Sequence, residues 1–272
     1  TDGTETITLT KTIFSENPIF KSEIFSLNNE NVGYLMYNGF VADYDGQLNT
    51  IFAEFQAQNI QHLILDLRYN PGGSVNSASV LGSMITGISN EVFAKLQYNS
   101  DLQNNNRNYN FTSTLSEGVS INTVGLNKVH VITTGSSASA SEMIINSLRS
   151  YIDVVQIGTT TVGKSQASVT LYDSPDYSRQ GANPGHLYAV QPLVAITVNK
   201  DNEAVPSTGL IATIEVKENV SNYGVLGEVN EPLLAAALAS VGTGRFGVNF
   251  YGISPILDSN SFKPHSQEMY LD

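Results

Sequence analysis

Twice in this chain a short, nearly continuous apolar run ends in a turn of small residues and gives way to helical periodicity. HLILDLR (62–68) runs into RYNPGG (68–73), after which Val75, Ala78, Val80, Leu81, Met84 and Ile85 supply the apolar positions of a helix. KVHVITT (128–134) runs into GSSASASE (135–142), a helix over about 140–150 follows, and VVQIG (154–158) closes the unit as a further strand. Runs apolar on both faces are strands buried from both sides, and such strands are joined by crossover helices in parallel sheets. The chain is therefore expected to be α/β with a mainly parallel sheet. At 272 residues with 41% hydrophobic content it fits one large domain, or at most two small ones.

The remaining elements fall around these units. ETITLTKTIF (5–14) and NVGYLMYNGF (31–40) read as strands with a polar link between them. Leu48, Ile51, Phe52 and Phe55 repeat at i, i+3, i+4 and i+7, which predicts an amphipathic helix from Asp45. VFAKLQY (92–98) is a predicted strand, and DLQNNNRN (101–108) is too polar to pack, hence an exposed loop. LYAVQPLVAITV (187–198) and ATIEV (212–216) read as strands, and a helix starts near Asn230 with Pro232 in its first turn. From Thr243 onward no periodicity is visible.

Charge and composition narrow the chemistry. Thirteen Lys and Arg against 25 Asp and Glu leave a net charge of -12, which repels phosphate backbones and anionic lipid surfaces, so nucleic acid is not an expected partner. No apolar run approaches the ~20 residues of a membrane span. The chain has no Cys, which removes disulfides, thiolate metal sites and cysteine nucleophiles. Catalysis, if present, rests on Ser, Thr, Lys, His or carboxylates.

Three segments carry chemical potential, each with a plain structural alternative. The Gly72–Gly73 pair after a buried strand lets backbone approach a ligand and frees N–H groups to face negative charge, or it is an ordinary strand-to-helix turn. In SSASASE (136–142), Ser139 could expose a hydroxyl beside the electropositive start of a helix. Ser139 and Glu142 also have the S-x-x-E spacing of a capping box, in which Ser139 only satisfies a helix N–H. In TTTVGKSQ (159–166), Lys164 is either a surface residue or a base whose pKa is lowered by burial. GTTTVGKS (158–165) additionally matches the G-x-x-x-x-G-K-[ST] phosphate loop. Against that reading, a phosphate loop opens a helix, whereas QASVTLYDS (166–174) is rich in β-branched residues and reads as a strand, and no second-strand aspartate for Mg²⁺ presents itself.

Taken together, LILDLRYNPGG, SSASASE and the strand VVQIG with TTVGK resemble, in order and character, the signatures of the S41 family, the C-terminal processing or tail-specific serine peptidases. LVAITVNKDNEAVPSTGLIATIEV (193–216) and LGEVNEPLLAAALA (226–239) are similar to later parts of the family core, so the resemblance spans roughly residues 31–242. It implies a ClpP/crotonase-like spiral of β-β-α units, with residues 1–30 an N-terminal strand and linker and 243–272 a C-terminal extension. Members often carry a PDZ domain, for which the thirty residues ahead of the core leave no room in this chain.

The resemblance makes Ser139 the nucleophile and Lys164 the general base, 25 residues apart. Neutral Lys164 would take the Ser139 proton as it attacks a peptide carbonyl, giving an acyl-enzyme that water hydrolyses. Oxyanion donors are expected from the Ala140 N–H and from the Gly72–Gly73 turn, with Gly73 favoured. No cofactor or metal is called for, and His62, His130, His186 and His265 are bystanders. Many members carry Gln four residues after the lysine; here Ser168 stands there and Gln166 two residues earlier, which leaves the supporting role open between them. The expected activity is an endopeptidase cutting polypeptides near their C-termini in an exported, periplasmic or envelope setting. The alternatives are a catalytically silent relative that binds polypeptide tails or hydrophobic ligands, and a phosphate-loop nucleotide hydrolase.

Overall fold

A computed structural model describes residues 7–8, 10, 15–219, 222–242 and 269–270. In chain order its elements are strands β1 (Ile19–Leu27) and β2 (Glu30–Tyr37), helix α1 (Asp45–Ala57), β3 (His62–Asp66), α2 (Val75–Thr86), β4 (Val92–Tyr98), β5 (Arg107–Asn110), β6 (Lys128–Thr133), α3 (Ala140–Leu148), β7 (Asp153–Gly158), β8 (Gln166–Ser168), β9 (Leu171–Tyr172), β10 (Ala189–Val190), β11 (Leu193–Val198), β12 (Ile214–Glu215), α4 (Pro232–Gly242) and β13 (Met269–Tyr270).

The two apolar runs that dominate the sequence become the adjacent central strands β3 and β6 of a six-stranded sheet ordered β1-β2-β3-β6-β7-β12. All its pairings are parallel except β1 with β2. The chain is thus α/β with a mainly parallel sheet. Period two divides each strand between two layers. Leu35, Tyr37, Leu63, Leu65, Val129 and Val131 face helices α1 to α3, while Val32, Tyr34, Met36, Ile64, Ile132 and Ile157 face α4. The α1 stripe is buried as its spacing requires, with Leu48 and Phe52 fully covered. Each such side chain contributes roughly 1.5–3 kcal/mol.

A second sheet, ordered β13-β8-β11-β4-β5, packs on the helical face and is antiparallel apart from β13 with β8. Phe93, Leu96, Ala167 and Ala195 join it to the core shared with α1 to α3. It hangs β8, and with it the Lys164 segment, beside the first turn of α3.

Several expectations need correction. The link read as polar between residues 14 and 31 contains β1, an edge strand whose Phe20 and Ile24 stay exposed. The loop expected at 101–108 ends inside β5. The single strand expected at 187–198 is two, broken at Gln191–Pro192, where proline offers no N–H to a ladder. QASVTLYDS forms β8 and β9. The strand expected at 5–14 and the extension after residue 242 lie largely outside the described residues, although Met269–Tyr270 pairs with Ala167 and Ser168.

Candidate active site

The second strand-turn-helix unit places Ser139 at the N-cap of α3, with φ 59° and ψ -115°. A β-carbon disfavours that conformation, at a cost of order 1–3 kcal/mol, so the surrounding contacts must impose it. Those contacts are specific. The Ala138 N–H donates to the Asn70 carbonyl (3.2 Å), the Ser137 hydroxyl to the Leu67 carbonyl (2.7 Å), and the Ser141 hydroxyl to the Asn70 carbonyl (2.9 Å). The turns after β3 and after β6 are in this way laced together. Ser139 Oγ is buried and makes no hydrogen bond of normal geometry, although it faces the Glu142 amide in the capping-box arrangement that its spacing allows. The Glu142 half of that pattern is made: its carboxylate accepts the Ser139 N–H at 3.0 Å.

Against Ser139 lies the glycine turn. Gly72 has φ 114° and Gly73 φ 133°, values that L side chains rarely adopt. A β-carbon on Gly72 would stand 2.7 Å from Ser139 Cβ and 3.0 Å from both Ser139 Oγ and the Ala140 nitrogen. One on Gly73 would stand 2.2 Å from the Phe40 carbonyl oxygen, because the turn pairs with that residue, the Phe40 N–H donating to Gly72 O and the Ser74 N–H to Phe40 O, both at 2.9 Å. Gly72 therefore serves by being small. Its own N–H already donates to Asn70 Oδ1 at 2.9 Å, whereas the Gly73 and Ala140 N–H groups make no hydrogen bond among the described residues.

The third segment reaches the same place through a side chain that sequence spacing marks only as a cap partner. Glu142 is fully buried, and its Oε2 accepts both the Ser139 N–H (3.0 Å) and the Lys164 N–H (2.8 Å). Its Oε1 accepts the Gly163 N–H (2.6 Å) and the Thr161 hydroxyl. The structure thus brings Ser139, Ala140, Gly72, Gly73 and the backbone of the half-buried Lys164 to one location. It also disposes of the phosphate-loop match. The amides of Gly163 and Lys164 do cradle an anion, but it is the chain's own carboxylate, and β8 follows where a nucleotide-binding loop would open a helix. Gln166 and Ser168 occupy alternate positions of β8 and so project from one face of it.

Beneath the glycine turn is a buried ionic cluster that the sequence does not announce. Arg68, fully buried, donates through Nε to Asp66 (2.9 and 3.0 Å), through Nη1 and Nη2 to Glu231 (2.8 Å each) and through Nη1 to Glu218 (2.9 Å). Tyr34 donates to Asp66 and Tyr69 to Glu218, each at 2.9 Å. Burial alone would lower the Arg68 pKa, yet Asp66 and Glu231 hold it well above its ordinary value. Burial raises the Glu218 carboxyl, with Arg68 and Tyr69 opposing. Glu231 also accepts the Leu233 and Leu234 N–H groups, so the cluster ties the turn after β3 to the start of α4.

The four histidines stand apart from the Ser139 motif in sequence. His62 pairs with Glu30 at 2.8 Å, His186 with Asp173 at 3.2 Å, and His130 is buried on the α4 face near backbone groups of Ser240 and Leu63; His265 lies outside the described residues. Among the described residues no group of three or more acidic or histidine side chains could hold a metal ion, and no helix is long and apolar enough to cross a membrane.

This architecture is an α/β chain in which two laced strand-turn-helix corners close on Ser139, and its relatives give it a family. Residues 31–181 match the family model described as peptidase family S41, and the chain belongs to that family. A protein of Staphylococcus epidermidis named as a CtpA-like serine protease is 26% identical over 181 residues, 62% of this chain and 34% of that one. The carboxyl-terminal-processing protease of Picosynechococcus is 26% identical over 176 residues, 65% of this chain and 39% of that one. The chain thus spans little more than a third of the length of these curated relatives. Among solved structures, a candidate S41 protease of Bacteroides fragilis superimposes with a TM-score of 0.74 at 31% identity, over 84% of this chain and 58% of that one. The photosystem II D1 C-terminal processing protease gives 0.59 at 17% identity, over 83% and 54%, a likeness of fold.

Proposed function

We propose that residues 31–242 form the core of a serine endopeptidase that cuts polypeptides near their C-termini, with Ser139 as nucleophile and Lys164 as general base. The observation that carries this reading is the unpartnered, strained Ser139 hydroxyl set between the Gly72–Gly73 turn and the first turn of α3, with the Lys164 loop held on the same carboxylate as the Ser139 amide. In the reaction Lys164 Nζ takes the Ser139 hydroxyl proton while Oγ bonds to the peptide carbonyl carbon. The Gly73 and Ala140 N–H groups receive the oxyanion, and Gly72 leaves the space. Collapse breaks the C–N bond, Lys164 returns the proton to the leaving amine, and water then splits the ester. The supporting role stays with Gln166 or Ser168, which share one face of β8. Because Ser139 is fully covered, a substrate reaches it only after its cover opens. The CtpA-like and carboxyl-terminal-processing proteases among the relatives support a polypeptide substrate; an exported, envelope setting is part of the same proposal.

The test is hydrolysis of an unstructured peptide with a free C-terminus by the wild type, Ser139→Ala and Lys164→Arg. Both variants should lose on the order of 10³-fold or more in kcat while remaining folded. Arginine keeps the charge but cannot shed its proton at working pH. Undiminished cleavage by Ser139→Ala sinks the nucleophile, and equal rates in Lys164→Arg sink the base. Peptide binding without turnover in any form would move the chain to the silent, tail-binding class.

A further inference from the structure

We propose that Glu142 is a positioning residue that locks the lysine loop onto the nucleophile corner, so that Ser139 and Lys164 move as one unit. This rests on the peptidase reading above for its consequence in catalysis, but its geometry stands alone. Capping α3 needs one acceptor for the Ser139 N–H. Glu142 accepts four donors: the Ser139 and Lys164 amides on Oε2 (3.0 and 2.8 Å), the Gly163 amide (2.6 Å) and the Thr161 hydroxyl on Oε1. Thr161 Oγ in turn accepts the Leu210 N–H at 2.8 Å, which commits its own proton to Glu142 and draws the 207–210 turn into the same assembly.

Every partner is a donor, so only an acceptor-only group satisfies the site. A carboxylate does so with its two oxygens, which meet the Ser139 N–H at the start of α3 and the Gly163 and Lys164 N–H groups of the facing loop. Glutamine of the same shape would turn an NH₂ group against either the Ser139 and Lys164 N–H groups or the Gly163 N–H and Thr161 hydroxyl, and so weaken the hold on the lysine loop. A base that drifts by about 1 Å from its nucleophile can cost on the order of 10²-fold in rate. Three of the four bonds are made outside helix α3, so the carboxylate's chief product is the relative placement of two loops rather than the stability of one helix.

The experiment compares wild type with Glu142→Gln and Thr161→Val in the full chain. Glu142→Gln should lower kcat by 10–100-fold with KM changed less than threefold, and amide hydrogen exchange at Gly163 and Lys164 should accelerate while the rest of the sheet keeps its protection. Thr161→Val, which removes one Oε1 bond, should lose a few fold in kcat with a smaller rise in the same exchange. In Glu142→Ala, formate or acetate should restore part of the rate by re-entering the amide cradle, a response a purely structural role does not give. Unchanged exchange at Gly163 and Lys164 in a folded Glu142→Gln protein overturns the lock, as does a kcat within twofold of wild type. If Glu142→Gln does not fold, Thr161→Val decides: unchanged kcat and exchange there overturn the lock. If the wild type cleaves no peptide, the peptidase reading fails, while the exchange comparison still decides whether Glu142 holds the two loops.

Discussion

A serine that merely capped a helix would sit in extended backbone with its oxygen hydrogen-bonded to an N–H group; Ser139 is not extended, and its oxygen makes no bond of normal geometry. Its φ of 59° is imposed by the lacing of the two turns. Removing that oxygen therefore removes no hydrogen bond of normal geometry, and Ser139→Ala should change stability by well under the ~1 kcal/mol lost with a working N-cap. Ser139→Gly should behave differently. Glycine accepts positive φ without a Cβ penalty, so relief of backbone strain outweighs its added freedom in the unfolded chain and stabilises the fold by about 1 kcal/mol over Ser139→Ala. Urea unfolding of the two variants side by side reads this difference; a glycine variant no more stable than the alanine one would show that the serine conformation is unstrained.

At the scale of elements, legibility follows the range of the interactions. β3, β6 and β7 with their helices are visible in sequence because each is encoded by a local run, and the Ser139, Gly73 and Lys164 corners are visible because each follows such a run. β1 is hidden because IFKSEIFSL mixes polar and apolar residues on an edge strand half-open to solvent. The antiparallel sheet is hidden because β4, β8 and β11 pair across segments far apart in the chain. The Walker-like spacing misleads because an amide cradle for an anion has the same local sequence whether the anion is phosphate or Glu142. Arg68 is hidden for the same reason of range: its partners Glu218 and Glu231 are 150 and 163 residues away. The cluster ties the end of β3 to the start of α4, so it should act on the stability of both. Arg68→Met leaves Asp66 and Glu231 buried without their cation, and unfolding free energy should fall by about 3–5 kcal/mol. A loss below 1 kcal/mol in denaturant titration would mean that the carboxylates find other partners or water.

Over the whole molecule, a buried histidine outside the Ser139 corner should add to acid sensitivity. His130 lies on the central strand β6 under α4 and is 1% exposed. Burial above all, with nearby Lys128 and His62 adding to it and backbone hydrogen bonds at Ser240 and Leu63 opposing, lowers its pKa to about 4 from 6.5. A base with a depressed folded pKa stays neutral in the native state while the unfolded chain already takes up its proton. Stability is therefore full above pH 6.5 and declines as pH falls toward 4, by about 2 kcal/mol at pH 5 and roughly 3 kcal/mol at the limit. Glu218 pulls the other way. Burial raises its carboxyl, so the native state binds that proton more readily than the unfolded chain, and lowering the pH into that range favours folding. The wild-type curve is the sum of the two, and replacing His130 isolates its part. His130→Leu keeps an apolar side chain of similar reach under α4 and removes the titration. Thermal or urea unfolding at pH 7 and pH 5 should show the wild type losing about 2 kcal/mol more than the Leu variant between the two conditions. Parallel losses in the two proteins would place the acid sensitivity elsewhere, and a larger loss in the Leu variant would reverse the sign assigned to His130.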